Sequence, residues 1–143
     1  KGTGLGLAIS YQIVVENHGG LTADIGRLLA IMGQLPQKNM GVCFDPGNVP
    51  LEQWEEMWPQ LAAVATHFHL KTHSFDKNGQ ERAIPYKTIF ALLGQYQYEG
   101  YVIIEYEGDG LPLEGISRSQ RLMGKKSEVS GYRAIAETPR GGA

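Results

Sequence analysis

Four short apolar segments recur along the 143-residue chain, and each one ends at or next to an ionisable residue. Segments of this kind, rich in branched side chains, are typical of strands buried on both faces of a parallel sheet. Longer amphipathic segments separate them, so the pattern predicts an α/β fold of four βα units. The predicted strands cover residues 13–16, 41–45, 66–70 and 101–105.

The amphipathic segments predict four helices that cover one face of the sheet, because their apolar residues recur every three or four positions. Pro59 lies inside the second of these segments and predicts that this helix splits into two pieces. After Met123 no apolar period continues, so residues 124–143 are expected to form a flexible tail. The predicted helices cover residues 22–34, 50–65, 85–96 and about 113–123.

Composition excludes several classes of function. The net charge is -2 and the 13 basic residues are scattered, so no surface for nucleic acid is indicated. One cysteine, Cys43, allows neither a disulfide framework nor a CxxC metal motif. No apolar run approaches the roughly 20 residues that a membrane span needs. We therefore expect a cytoplasmic protein without a membrane or nucleic-acid partner.

The ionisable residues at the strand ends predict a metal site. The carboxyl ends of parallel strands meet on one face of a barrel, and the spacing of 24 to 36 residues corresponds to about one βα unit each. An oxygen-rich set with one imidazole suits Mn, Mg or Co and tolerates Zn. A polar residue after a strand can also be a turn former or helix cap, and this alternative stays open for each position. The four residues are Glu16, Asp45, His69 and Glu105.

A metal held in this way could polarise a carbonyl and a hydroxyl of a sugar. If Glu16 and Glu105 lie on opposite sides of the sugar, one can remove a proton next to the carbonyl and the other can deliver one, which is isomerase or epimerase chemistry. His18, in the loop after the first strand, is a candidate substrate contact or a purely structural residue. His67 is expected to pack among the helices, and His73 to be solvated.

Four motifs carry a resemblance to a known family. They are Val-Val-Glu-Asn-His-Gly-Gly (14–20), Gly-Val-Cys-Phe-Asp-Pro-Gly-Asn (41–48), His-Phe-His-Leu-Lys (67–71) and Val-Ile-Ile-Glu-Tyr-Glu-Gly (102–108). From about residue 13 to 123 the chain resembles the second half of the sugar phosphate isomerase/epimerase family, whose members are xylose-isomerase-like TIM barrels. The resemblance implies a partial TIM barrel, a half-barrel of about four βα units.

The same resemblance implies roles for individual residues. Glu16, Asp45, His69 and Glu105 match the metal ligands of the family, and Glu16 and Glu105 double as the acid/base pair. Asn48 and Lys71 match positions that face a small-molecule sugar substrate.

The family's barrel has eight units and roughly 250 residues, and this chain supplies only the last four. A homodimer is one way to complete the barrel. Alternatives are a truncated, inactive enzyme and a non-catalytic fragment that self-associates.

A second resemblance lies at the start of the chain. Gly-Thr-Gly-Leu-Gly-Leu-Ala-Ile (2–9) is similar to the glycine box of a sensor histidine kinase ATP-binding domain, which implies nucleotide contacts at Gly2, Gly4 and Gly6. The alternative function is therefore an ATP-binding remnant of such a kinase. Residues 1–12 would be a kinase-like leader, residues 13–123 the half-barrel and residues 124–143 the tail. The chain would then be a hybrid of the two families, joined near residues 14–20.

Overall fold

The computed structural model describes residues 13–35 and 39–130, with side chains given through residue 124. In this part of the chain every strand is followed by a helix, so the predicted series of four βα units is confirmed. The strands are β1 (Ile13–Glu16), β2 (Met40–Phe44), β3 (Ala65–Thr72) and β4 (Tyr101–Tyr106). The helices are α1 (Ile25–Gln34), α2 (Trp54–Val64), α3 (Tyr86–Gln95) and α4 (Pro112–Ser130).

The strands form one parallel sheet in the order β1-β2-β3-β4. Crossovers between parallel strands are right-handed. The order of the strands in this sheet is also their order in the sequence, so the crossover helices all lie on the same face of the sheet. A TIM barrel is wound in this way. The arrangement therefore confirms the predicted partial barrel, with β1 and β4 at the two edges.

The core lies between the sheet and the helices. Successive residues of a strand point to opposite faces, and the buried face of β2 and β3 includes Phe44, Phe68 and Leu70, each 0% exposed. The Phe68 ring packs edge-on against Phe44 at 5.5 Å between ring centroids. Burying a side chain of this size contributes roughly 1.5–3 kcal/mol, so this face dominates the stability of the fold. The helices add Leu28, Leu61, Ile89, Leu93 and Leu122 to the same core.

The first helix begins later than predicted. Residues Gly20–Thr22 form a single 3-10 turn, and α1 begins at Ile25. Asp24 precedes it and accepts a hydrogen bond from the backbone N–H of Arg27 at 2.9 Å. This side chain caps the helix, because it satisfies one of the donors that the first turn leaves without a partner.

The predicted break at Pro59 is wrong, since α2 runs through this residue. The interruption lies earlier, where a 3-10 turn at Leu51–Gln53 gives way to the α-helix at Trp54. A proline in a helix removes one hydrogen bond. Here the burial of Trp58 and Leu61 on either side of Pro59 holds the helix against the sheet and outweighs that loss.

The last helix also differs from the prediction, because α4 continues past Met123 to Ser130. The extra residues lack an apolar face, but adding residues to an existing helix is far easier than starting one. The kinase-like leader and the rest of the predicted tail lie outside the described residues and stay predictions. Among the described helices none is long and apolar enough to cross a membrane.

Candidate metal centre

Four strands each place one candidate ligand at the carboxyl end of the sheet. Glu16 is the last residue of β1, Asp45 directly follows β2, and His69 and Glu105 lie within β3 and β4. One ligand atom from each side chain lies within 4.8 Å of the ligand atoms of the other three. The parallel strands thus bring together side chains that are far apart in sequence, and this cluster is called the carboxylate–His69 cluster below.

The imidazole of His69 lies at the middle of this cluster. Its Nδ1 is 3.3 Å from Glu16 Oε1, 3.3 Å from Glu105 Oε2 and 3.6 Å from Asp45 Oδ2. Two atoms that each bind one ion at about 2.1 Å lie about 3.0 to 3.4 Å apart in octahedral or tetrahedral geometry. The observed separations are therefore close to those of ligands around a single cation.

Two atoms of the cluster are buried and make no hydrogen bond, namely Nδ1 of His69 and Oε2 of Glu105. Buried polar atoms normally have a hydrogen-bond partner, and a bound ion is one ordinary reason for an exception. Both atoms face the interior of the cluster. The donor set, three carboxylates and one imidazole, fits a divalent cation of the oxygen-preferring kind.

The charges inside the cluster shift the pKa values of its members. Close contact with the Asp45 carboxylate, followed by contact with Cys43, raises the pKa of His69 to about 10. Burial raises the pKa of Glu16 above its ordinary value, although His69 partly opposes this. Burial also favours the neutral form of Asp45, but contacts with His69 and Lys71 outweigh it and hold the pKa of Asp45 below its usual value. Without an ion, a proton on His69 supplies the positive charge that the carboxylates require.

A second layer of polar side chains holds the carboxylates in place. Asn48 donates from Nδ2 to Glu16 Oε1 at 3.0 Å and to Asp45 Oδ2 at 3.1 Å. Lys71 is almost fully buried, and its Nζ lies 3.0 Å from Asp45 Oδ2 and 3.4 Å from Glu105 Oε2. These two residues also contact each other, since Lys71 donates to Asn48 Oδ1 at 3.1 Å. Ligands fixed by such partners keep their orientation before an ion arrives.

Comparison with known proteins places this chain in a family. Residues 7–126 match the family described as xylose isomerase-like TIM barrel, a range that includes all four strands and the whole carboxylate–His69 cluster. The chain belongs to this family. The resemblance inferred from the four motifs is therefore confirmed for the xylose isomerase-like half-barrel.

Similarity to individual proteins covers part of the chain. A C-glycoside deglycosidase alpha subunit of Microbacterium trichothecenolyticum is 31% identical over 85 residues, which are 56% of this chain and 23% of that protein. A protein of the same description from Arthrobacter globiformis is 29% identical over 89 residues, which are 57% of this chain and 24% of that one. The chain therefore spans about a quarter of the length of these curated relatives.

The other predicted site residues fall in three places. Asn48 and Lys71 lie beside the carboxylate–His69 cluster, where both contact carboxylates of candidate ligands. His18 is exposed in the loop after β1, where its backbone exchanges hydrogen bonds with the Thr22 hydroxyl. Gly2, Gly4 and Gly6 lie outside the described residues, so the nucleotide-binding alternative stays a prediction.

The expectation that His67 packs among the helices is wrong. Residues two apart in a strand share a face, so His67 lies on the same face as His69, and Phe68 between them enters the helix-covered core. The ring of His67 packs on Tyr101 of β4 at 5.3 Å between ring centroids. Burial, with a smaller contribution from the nearby His69, lowers the pKa of His67.

Two residues of the site have no assigned role in the sequence analysis. Asn17 is 1% exposed and exchanges two hydrogen bonds of 2.7 Å with the backbone of Asp45, which ties the ends of β1 and β2 together. Glu107 accepts from Lys71 Nζ at 3.3 Å. The alternation of strand residues could have revealed Glu107, because it follows Glu105 by two positions and shares its face. No comparable sequence signal marks Asn17.

Proposed function

We propose that this chain forms half of the barrel of a divalent-metal-dependent sugar or sugar-phosphate isomerase or epimerase. The observation that carries the proposal is the carboxylate–His69 cluster, in which four strands converge and two buried ligand atoms face inward without hydrogen bonds. Glu16, Asp45, His69 and Glu105 would hold the ion. Mn, Mg and Co suit this donor set and Zn is tolerated. A bound ion would polarise the carbonyl and hydroxyl oxygens of the sugar.

The two glutamates would move the proton. Glu16 comes from one edge strand and Glu105 from the other, so they approach the centre of the site from opposite sides. In the chain without an ion, burial raises the pKa of Glu16, and His69 partly opposes this. One carboxylate removes a proton from the carbon next to the carbonyl, and the other carboxylic acid returns a proton to the sugar.

Asn48 and Lys71 would present polar groups to the sugar while they hold the carboxylates. Both lie beside the ligands, and Lys71 is permanently charged at neutral pH because its carboxylate neighbours outweigh its burial and raise its pKa. His18 is exposed in the loop after β1, where it would contact substrate or serve a structural role.

Similarity to the C-glycoside deglycosidase alpha subunits supports a second candidate reaction. Loss of a proton next to a carbonyl leaves an electron pair that can expel a substituent from the next carbon. The same acid/base pair could therefore serve cleavage of a C-glycoside whose sugar carries a ketone: a carbon–carbon double bond forms next to the ketone, the carbon–carbon bond to the leaving group breaks, and the leaving group takes up a proton. Both candidates depend on the same four ligands.

The remaining half of the barrel would come from another set of strands. The sheet edges at β1 and β4 pair on one side only in the described part of the chain. Unpaired edges readily accept further strands, and a homodimer is the simplest assembly that supplies four. Light scattering of the purified chain measures this directly, and a folded monomer would argue against the homodimer.

The experiment that tests the proposal is a thermal melt of the whole chain with and without millimolar Mn. An ion that binds only the folded state at about 100 times its dissociation constant adds about 2.7 kcal/mol, which corresponds to a rise of several degrees in Tm. We expect this rise in the wild type and in His67→Ala, whose imidazole lies on the same strand and face but is no ligand. His69→Ala should lose it. An equal rise in His69→Ala, or none in the wild type, contradicts the proposal.

A further inference from the structure

Lys71 is a buried cation that shares its neighbours with the carboxylate–His69 cluster. It follows His69 by two positions in β3 and so lies on the same face of the sheet. Its side chain is 4% exposed, and oxygen atoms of four different residues lie 3.0 to 3.4 Å from its Nζ. These atoms are Asp45 Oδ2, Asn48 Oδ1, Glu107 Oε1 and Glu105 Oε2.

The packing around Lys71 fixes the path of its side chain. A Cβ at Gly47 would lie 2.7 Å from Cδ of Lys71, so the glycine leaves the room that the lysine chain occupies. The Gly47 N–H also donates to Asp45 Oδ1 at 2.8 Å, which orients the carboxylate whose other oxygen contacts the lysine. The ammonium group is therefore held inside the site by the fold itself.

Two of the oxygen atoms around Nζ also face the position of the proposed ion. Asp45 Oδ2 and Glu105 Oε2 lie 3.6 and 3.3 Å from Nδ1 of His69, close to the separations of ligands around one cation. An ion bound to Asp45 Oδ2 at about 2.1 Å would lie no more than about 5 Å from Nζ of Lys71. Sites that contain two metal ions hold them about 3.5–4 Å apart. The ammonium group therefore lies close to where a second metal ion would lie.

The charges of the site agree with this reading of the geometry. Four carboxylates meet here, and one divalent ion together with the ammonium group neutralises three of their four charges. A second divalent ion would have to bind oxygens that the ammonium group already contacts, and the two cations would repel each other strongly at that distance. Without the ammonium group, two divalent ions would neutralise all four carboxylates. The carboxylates belong to Glu16, Asp45, Glu105 and Glu107.

We propose that Lys71 occupies the second cation position of a two-cation centre, so that the chain binds one divalent ion with the lysine and two without it. The inference rests on the proposed function, because the first ion must occupy the carboxylate–His69 cluster. In a chain without the lysine, Asp45 and Glu105 would bridge the two ions, and Asn48 and Glu107 would complete the second position.

The test counts the Mn ions bound by each whole chain, in titrations that follow free Mn by electron paramagnetic resonance. The wild type should bind one ion, and Lys71→Ala should bind two. Two Mn ions that share carboxylates are magnetically coupled, so bound Mn in the variant should give the spectrum of a coupled pair. Two ions in the wild type, or one in the folded variant, would overturn the inference. No bound ion in the wild type would overturn the proposed function as well.

Three further variants separate the second position from other effects. Lys71→Gln keeps a polar side chain of similar length and loses the charge, so it should also bind two ions, and it replaces Lys71→Ala if that variant does not fold. Lys87→Ala removes a lysine from the exposed side of α3 and should bind one ion. Glu107→Gln combined with Lys71→Ala should return the number of bound ions to one, because Glu107 contacts Nζ but is not one of the four ligands. A second ion that stays bound in this double variant contradicts the assignment.

Discussion

The two faces of the sheet differ in what they contain and in what covers them. The face toward the helices is apolar and closed, and Phe44, Phe68 and Leu70 on it are fully buried. The opposite face carries the carboxylate–His69 cluster at its carboxyl end, and Tyr101 and Ile103 on it are 64% and 42% exposed. One strand thus serves two purposes, because alternate residues of β3 stabilise the fold and build the site.

This division separates stability from chemistry. Removing a side chain from the helix-covered face leaves a hole in a packed core, whereas the open face loses mainly electrostatic contacts. The open face also holds the carboxylate–His69 cluster and Lys71 in close contact, and such an arrangement is maintained only because the other face supplies the free energy of folding. Substitutions on adjacent residues of one strand should therefore behave differently.

The largest effect is expected for Phe68→Ala compared with its neighbour His67→Ala. Truncating a buried phenylalanine lowers the free energy of unfolding by about 3–5 kcal/mol, because a cavity remains. His67→Ala, on the open face, should change it by about 1 kcal/mol or less. Urea denaturation followed by tryptophan fluorescence measures both. Similar losses in the two variants would mean that the open face is as tightly packed as the core.

A somewhat smaller loss is expected for Lys71→Met, which removes the buried cation beside Asp45 and Glu105. Breaking a buried ion pair destabilises by about 3 kcal/mol, because a charge stays buried without its partner. Added Mn supplies positive charge, so its stabilising effect should be larger in this variant than in the wild type. Melts with Mn and with EDTA give both values, and Lys87→Met on the exposed side of α3 is the matched control. Equal Mn effects in the two proteins would contradict the role given to Lys71.

The pH dependence of the metal-free chain tests the same cluster without any substitution. The pKa of His69 is raised from 6.5 to about 10 in the folded chain. Its stabilising contribution is present in full below pH 6.5 and is lost as the pH rises toward about 10. The free energy of unfolding in EDTA should therefore fall over this range, and His69→Gln should flatten the curve. Mn binding should strengthen over the same range, since the ion and the proton compete for the imidazole. Stability in EDTA that rises with pH would refute this account of the cluster.

The smallest effect is expected for Ile103→Ser. This side chain is partly exposed on the open face, so its loss should change the free energy of unfolding by about 0.5 kcal/mol or less. Chemical denaturation at several protein concentrations measures it. A loss above about 2 kcal/mol that depends on concentration would show that another copy covers this face in solution.

Much of the fold could be predicted because its signals are local. The apolar segments placed all four strands, and Glu16 ends β1 as expected. Boundaries that depend on tertiary contacts were harder to predict. The burial of Trp58 keeps α2 intact at Pro59, and this packing cannot be read from helix propensity.

The convergence of the four candidate ligands also followed from sequence, because parallel strands end on the same edge and one ionisable residue marked each end. The contacts that hold these ligands in place could not be predicted from the sequence. Asn17 acts through hydrogen bonds to the backbone of Asp45, 28 residues away, and nothing in its neighbours indicates that contact. The role of Lys71 as a buried contact of several carboxylates likewise depends on the closeness of β3 and β4.

The distribution of one ligand per strand has a consequence for the order in which the chain assembles. Parallel neighbours are joined by a crossover, so each strand of this sheet can pair with the preceding strand only after the connecting segment between them has been synthesised. Glu16, Asp45 and His69 can meet once β3 has joined the sheet, but Glu105 arrives only with β4. A growing chain therefore completes its set of four ligands only when β4 has been made. A cation that needs all four would leave chains without β4 untouched.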